Sequence, residues 1–146
     1  MNARLLAALF AFSVFMPFAA SAKQCAPELK DGWVRLGPVA MPMMAGFGRI
    51  ENPCAQPVVV VSAASPAFGD VSIHESRVVD GVNRMRELSE LPVAAKSAAT
   101  LAPGGMHLML MRPSAPLKEG DKVAVTFRLK DGRGVSGELT VHKAAP

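Results

Sequence analysis

The residues of this sequence best suited to chemistry are histidines and methionines that lie in short β-rich runs. His107 and Met109 are separated by one residue, so in a strand their side chains point to the same face. The alternate residues Met106, Leu108 and Leu110 form an ordinary core stripe on the other face. One strand is therefore predicted to present an imidazole and a thioether side by side.

A second His–Met pair lies on either side of the dipeptide Asp80-Gly81. Asp-Gly favours a two-residue type I′ turn, which would place Met85 opposite Ser76 in a β-hairpin. His74 and Met85 would then share a face as diagonal neighbours, roughly 7–8 Å apart at the backbone. A slip of one residue would put them on opposite faces, so the pairing depends on the turn type.

These four side chains together have the chemistry of a soft-metal site. Imidazole suits copper, zinc, iron and nickel, whereas a thioether selects Cu(I) over harder ions. Methionine carries no proton that competes with the metal, and it cannot be lost to disulfide formation. We therefore predict a Cu(I) site formed by His74, Met85, His107 and Met109, although each of these residues alone is more often a core or surface residue.

The third histidine, and the other methionines that lie after residue 22, are expected to take no part in this site. Met106 is assigned to the core, and Met111 shares the face of His107 but lies too far along the strand to bind. His142 is assigned to the solvated face of the last strand. Residues assigned to packing or to a loop are Met41, Met43 and Met44, which lie in a Pro-interrupted stretch.

The start of the chain predicts export. Residues 1–22 contain one positive charge, an apolar run and the sequence Ala20-Ser21-Ala22, as in a cleaved secretory signal peptide. Residues 23–146 are then expected to form one domain, which has no second apolar run long enough to span a membrane. The predicted location is the periplasm, and Lys23 before Cys25 argues against lipid attachment there.

The cysteines and the charge balance limit the remaining possibilities. Cys25 and Cys54 form an even set in an exported chain, which favours a disulfide over free thiols acting as metal ligands. The formal net charge is +4, but the sequence has no Lys/Arg cluster with interleaved aromatic residues. Nucleic acid is therefore not expected as a partner.

Turn signals at short intervals predict an all-β, antiparallel sandwich or barrel. Residues 123–130 alternate between apolar and polar types, as do residues 135–141 after the Asp131-Gly132 turn, which predicts a terminal hairpin. The expected strands cover residues 58–62, 71–79, 82–88, 106–112, 123–130 and 135–141.

The spacing of the four candidate ligands resembles a known family. His74, Met85, His107 and Met109 match the His-x10-Met-x21-His-x-Met pattern of the periplasmic PCuAC copper chaperones. The flanking segments that agree are Trp33-Val34-Arg35, Ala45-Gly46-Phe47 before Asn52, Ile73-His74-Glu75, Pro103-Gly104-Gly105 and Leu117-Lys118-Glu119-Gly120-Asp121. The resemblance covers roughly residues 31–142.

The resemblance implies a cupredoxin-like β-barrel that binds one Cu(I) ion through these four residues, and we expect a monomer that is not an enzyme. It implies delivery of copper to the CuA centre of cytochrome c oxidase, beside a Sco-type protein. Some relatives carry a C-terminal His/Met-rich tail that takes Cu(II), whereas this chain ends in Val141-His142-Lys143-Ala144-Ala145-Pro146. Cys25 and Cys54 lie outside the copper motif, which supports a structural role for them.

Two other functions are compatible with the same residues. The chain could be an exported β-sandwich interaction module whose His and Met residues are incidental, or a copper storage or resistance protein without a delivery role. An enzyme has less support, because blue-copper electron transfer needs a Cys ligand and no nucleophile–base pair stands out.

Overall fold

The computed structural model describes residues 25–146, and the signal peptide predicted for residues 1–22 lies outside that range. All regular elements of the described part are β-strands. They are β1 (Glu28–Arg35), β2 (Met43–Asn52), β3 (Val58–Ala64), β4 (Phe68–Val79), β5 (Val82–Glu87), β6 (Leu91–Val93), β7 (Ser97–Leu101), β8 (Met106–Pro113), β9 (Lys122–Leu129) and β10 (Gly134–His142). Residues 25–146 contain no helix long and apolar enough to cross a membrane.

The strands form one mixed sheet in the order β5-β4-β8-β2-β1-β10-β9-β3-β6, and β7 pairs with the second half of β2. β3 also packs against β4, and β6 packs against β7, so the sheet closes around a single core. The all-β prediction is confirmed. One pair departs from the expected antiparallel pattern, because β1 and β10 run parallel in the middle of the sheet.

The core is built from strands whose residues alternate between inside and outside. In β9, Val123, Val125, Phe127 and Leu129 are buried while the residues between them are exposed. Phe127 pairs with Val135 of β10, so the predicted terminal hairpin is present. Burial of one face of each strand is the main stabilising contribution to such a sheet.

The predicted disulfide between Cys25 and Cys54 is present. Cys54 is buried in the turn between β2 and β3, whereas Cys25 lies at the exposed start of the described chain. The Cys25 carbonyl also accepts a hydrogen bond from the Arg133 Nη1 atom at 2.8 Å. The segment before β1 is therefore held to the body of the domain at two points.

Candidate metal centre

The β4–β5 hairpin has the register that the Asp80-Gly81 dipeptide predicts. Asp80 and Gly81 have φ angles of 53° and 75°, and a type I′ turn requires positive φ at both central positions. Ser76 pairs with Met85, and His74 pairs with Glu87. His74 and Met85 therefore share a face of the hairpin as diagonal neighbours, as expected.

The second predicted pair lies on β8, which runs next to β4 in the sheet. Leu108 and Leu110 are fully buried, so the alternate residues His107 and Met109 face outward, where both are half-buried. His107 lies directly opposite His74 across the β4–β8 ladder. The two imidazole centroids are 6.0 Å apart, with an angle of 30° between the ring planes.

This separation suits two imidazoles that share one ion. With metal–nitrogen bonds of about 2 Å, two coordinated rings have centroids roughly 5–6.5 Å apart. The two histidines come from strands β4 and β8, which are far apart in sequence. The sheet therefore brings together two groups that the sequence placed only on separate strand pairs.

Each imidazole has one nitrogen within hydrogen-bond distance of an oxygen, and the other nitrogen is the one that could bind a metal. His107 Nδ1 lies 3.0 Å from the Gly105 carbonyl oxygen, and because a carbonyl only accepts, Nδ1 carries the proton and Nε2 keeps its lone pair. His74 Nε2 lies 3.0 Å from the Ser72 hydroxyl, and its Nδ1 is buried without a hydrogen-bond partner. A buried polar atom without a partner is costly, and coordination to an ion would satisfy it.

A cavity of about 260 Å³ opens beside His107. It is lined by three of the four predicted ligands, Met85, His107 and Met109, while His74 stacks on His107 outside the lining. The other lining residues are Met43, Met44 and Ala45 of β2. Thioether groups therefore make up much of the wall of this cavity.

The cavity is bordered by side chains from strands that are not neighbours in the sheet. β5 is separated from β2 by β4 and β8, which in a flat sheet would place β5 and β2 about 14 Å apart. Met85 and Met43 nevertheless border one cavity. The side chains of Met85 and Met43 therefore reach towards the same space on the outer face of the sheet, which His107 and Met109 also line.

Sequence reasoning did not identify Met43 as part of this region. It assigned Met43 to packing or a loop, whereas Met43 opens β2 and is 42% exposed. Met43 pairs with Met111 of β8, and Ala45 pairs with Met109. The signal that places Met43 here is the register between β2 and β8, which no local pattern reveals.

Charged groups on the opposite face of the hairpin form two ion pairs, and the one between Arg86 and Glu75 joins its two strands. Arg77 Nη2 donates to Glu75 Oε1 at 2.9 Å, and Arg86 Nε and Nη2 donate to Glu75 Oε2 at 3.1 and 2.9 Å. These hydrogen bonds, from Arg77 first and then Arg86, hold the pKa of Glu75 below its usual value.

Within residues 25–146, no group of three or more His, Cys, Asp or Glu side chains is arranged to hold a metal.

The pattern of one protein family matches residues 28–141, and its description is "Putative lipoprotein LpqE-like". The chain belongs to the LpqE-like family. A curated relative, "Putative lipoprotein Lxx21020" from Leifsonia xyli subsp. xyli, is 37% identical over 106 residues. The match covers 72% of this chain and 63% of that protein, so the chain spans somewhat less than two thirds of its relative.

Solved structures of similar fold include copper-related domains. The solution structures of apo-DR1885 and CuI-DR1885 from Deinococcus radiodurans are 27% and 28% identical, each with a TM-score of 0.64. They cover 99% and 85% of this LpqE-like chain, which in turn covers 95% and 83% of them. The copper-bound PCuAC domain from PmoF2 is 18% identical, with a TM-score of 0.64 over 80% of this chain and 92% of that domain. The resemblance to the PCuAC family and the cupredoxin-like fold are confirmed.

Proposed function

We propose that this chain binds one Cu(I) ion through His74, Met85, His107 and Met109. The observation that carries the proposal is the pair of facing imidazoles beside a cavity lined with thioethers. His74 Nδ1 is buried without a hydrogen-bond partner, as expected for an atom that binds an ion. CuI-DR1885, at 28% identity, supports copper as the metal.

The donor set also explains why the ion would be Cu(I). Thioethers are soft ligands that favour Cu(I), and they add no charge and no proton to the site. Both cysteines of the chain are joined in the disulfide, so thiolates do not compete with this site for copper. Cu(I) is held by neutral ligands and can be released without a change in pH or redox state.

The placement of the site supports a carrier that passes the ion on by ligand exchange. Met85 is 52% exposed, so a ligand from an acceptor protein can approach the ion on that side. We propose that the chain is a monomeric, non-enzymatic copper chaperone. Its proposed acceptors are the CuA subunit of cytochrome c oxidase and a Sco-type protein.

We further propose that the chaperone is exported to the periplasm after cleavage of residues 1–22. The disulfide is consistent with an oxidising compartment. The relative from Leifsonia xyli is called a lipoprotein, but the Cys25 sulfur of this chain is bonded to Cys54. Cys25 in this form has no free thiol to carry a lipid.

Competition against a chromogenic Cu(I) chelator tests the proposed site. The wild-type chain should take up one equivalent of Cu(I), and the double variant His107→Ala, Met109→Leu should bind at least tenfold more weakly. Met41→Leu is the control, because Met41 is exposed but lines a different groove. Equal affinity in the wild type and the double variant would show that the site is wrong.

A transfer assay tests the proposed role. The copper-loaded chain is mixed with the apo form of a CuA-domain or Sco-type acceptor, and copper is quantified after the two are separated. Transfer faster than spontaneous release supports delivery. Retention of the ion by a chain that binds it tightly would indicate storage, and a chain with no copper adduct would be an interaction module.

A further inference from the structure

Met43 lies on the same outer face as the proposed ligands of β8. Met43 pairs with Met111, and Ala45 pairs with Met109, so Met43 and Met109 are diagonal neighbours across the β2–β8 ladder. Met43 is 42% exposed and borders the cavity that Met85, His107 and Met109 also line. Two further thioethers therefore line this cavity beyond the two that are proposed to bind copper, and of these Met43 is exposed whereas Met44 is buried in the core.

Met43 and Met85 stand on elements that the fold holds very differently. β2 pairs with β1, β7 and β8, and the residue after Met43, Met44, is buried in the core. β5 is an edge strand in which every residue is exposed, and it is joined to β4 by a two-residue turn. Strands with few buried apolar contacts open locally at the lowest free energy. Met85 can therefore leave the cavity while Met43 stays in place.

We propose that Met43 is an alternate ligand that replaces Met85 on the ion when the outer end of the β4–β5 hairpin, beyond the β4 residues that pair with β8, moves away. The proposal rests on the proposed function, since it concerns the same Cu(I) ion. In the exchange one Cu–S bond to Met85 breaks and one Cu–S bond to Met43 forms. Both groups are neutral thioethers, so no proton or electron moves.

This role differs from that of a permanent ligand. His74, Met85, His107 and Met109 already supply the four donors that a tetrahedral site accommodates. Removal of Met43 should therefore have little effect while Met85 is present. It should have a large effect once Met85 is gone, because the vacant position then has no second thioether.

A double-mutant cycle measured by Cu(I) competition tests this coupling. Met43→Leu alone should change the Kd less than twofold, and Met85→Leu alone should weaken binding about tenfold. In the Met85→Leu background, adding Met43→Leu should weaken binding at least a further fivefold. The matched control is Met41→Leu, which has the same 42% exposure and should have no effect in either background.

Two results would overturn the proposal. If the double variant binds Cu(I) as well as Met85→Leu, Met43 does not take the vacant position. If Met43→Leu alone weakens binding as much as Met85→Leu, Met43 is a permanent ligand. The His107→Ala, Met109→Leu variant is measured in parallel, and its loss of binding establishes the main site independently. Unchanged binding in that variant would instead overturn the proposed function.

Discussion

Reduction of the Cys25–Cys54 disulfide should lower the stability of the domain by a predictable amount. The bond joins residues 29 positions apart, and opening it restores the freedom of that loop in the unfolded chain. The chain-entropy relation gives about 3.5 kcal/mol at 25 °C for a loop of this length. That is a large part of the stability of an ordinary domain.

Reduction is a cleaner perturbation than mutation, because both sulfur atoms stay in the protein. Cys54 is only 7% exposed, and replacing it would add a packing cost to the loss of the cross-link. Urea denaturation with and without a thiol reductant measures the difference. With a urea m-value of about 1.5 kcal/mol/M, the midpoint should fall by about 2 M.

The double variant Cys25→Ser, Cys54→Ala is the control, and its midpoint should not respond to reductant. A difference below about 1 kcal/mol between oxidised and reduced wild type would refute the reasoning. In that case the hydrogen bond from Arg133 to the Cys25 carbonyl, with other contacts, would be enough to hold the segment. A domain that does not fold after reduction would show that the bond is worth more than the loop-closure relation gives.

Three further substitutions, and one exposed control, test the fold around the candidate site. Leu108→Ala removes a fully buried side chain and should cost about 2–5 kcal/mol in urea denaturation, whereas Val78→Ala, at a side chain that is 73% exposed, should cost less than about 0.5 kcal/mol. In Gly81→Ala the added Cβ atom would have no other atom within 4 Å, but the backbone at this position has a φ angle of 75°, which strains any residue with a side chain. The substitution should therefore destabilise the hairpin by about 1 kcal/mol, and the amides of β5 should exchange faster. Glu75→Gln should lower the melting temperature at neutral pH by weakening two exposed ion pairs, and the difference from wild type should vanish in acid. The sign follows from the lowered pKa of Glu75 in the folded protein. A carboxylate with a lowered pKa stabilises the fold at pH values above its pKa in the unfolded chain, and this stabilisation is lost as the pH falls through its pKa in the folded protein.

The hairpin and the outward face of β8 could be predicted because both follow from local rules. A two-residue Asp-Gly turn sets the register of its own strands, and Ser76 does lie opposite Met85. Alternation along one strand fixes which side chains share a face, and His107 and Met109 do face away from the core. Neither argument needs to know where any other strand lies.

Most of the features that the sequence did not reveal depend on contacts between distant segments. The pairing of β4 with β8 places His74 opposite His107, and these residues are 33 positions apart. The parallel contact of β1 with β10 joins the two ends of the described chain. β6 and β7 are short strands of three and five residues, too short to show a clear period. Met43 was missed because only the register of β2 against β8, a long-range contact, places it at the cavity.

The proposed ligands also differ in how firmly the fold holds them, which sets the order of events in copper release. His107 and Met109 alternate with two fully buried leucines, so neither can leave the ion without movement of a core strand. Met85 belongs to a strand in which every residue is exposed, and it can leave with the outer end of the hairpin, beyond the β4 residues that pair with β8. Release should therefore begin at Met85, on the side where an acceptor can approach. Amides of β5 should exchange with solvent much faster than those of β8 in the copper-free chain, and Cu(I) should slow exchange mainly in β5. Equal protection of both strands before copper is added would contradict this order.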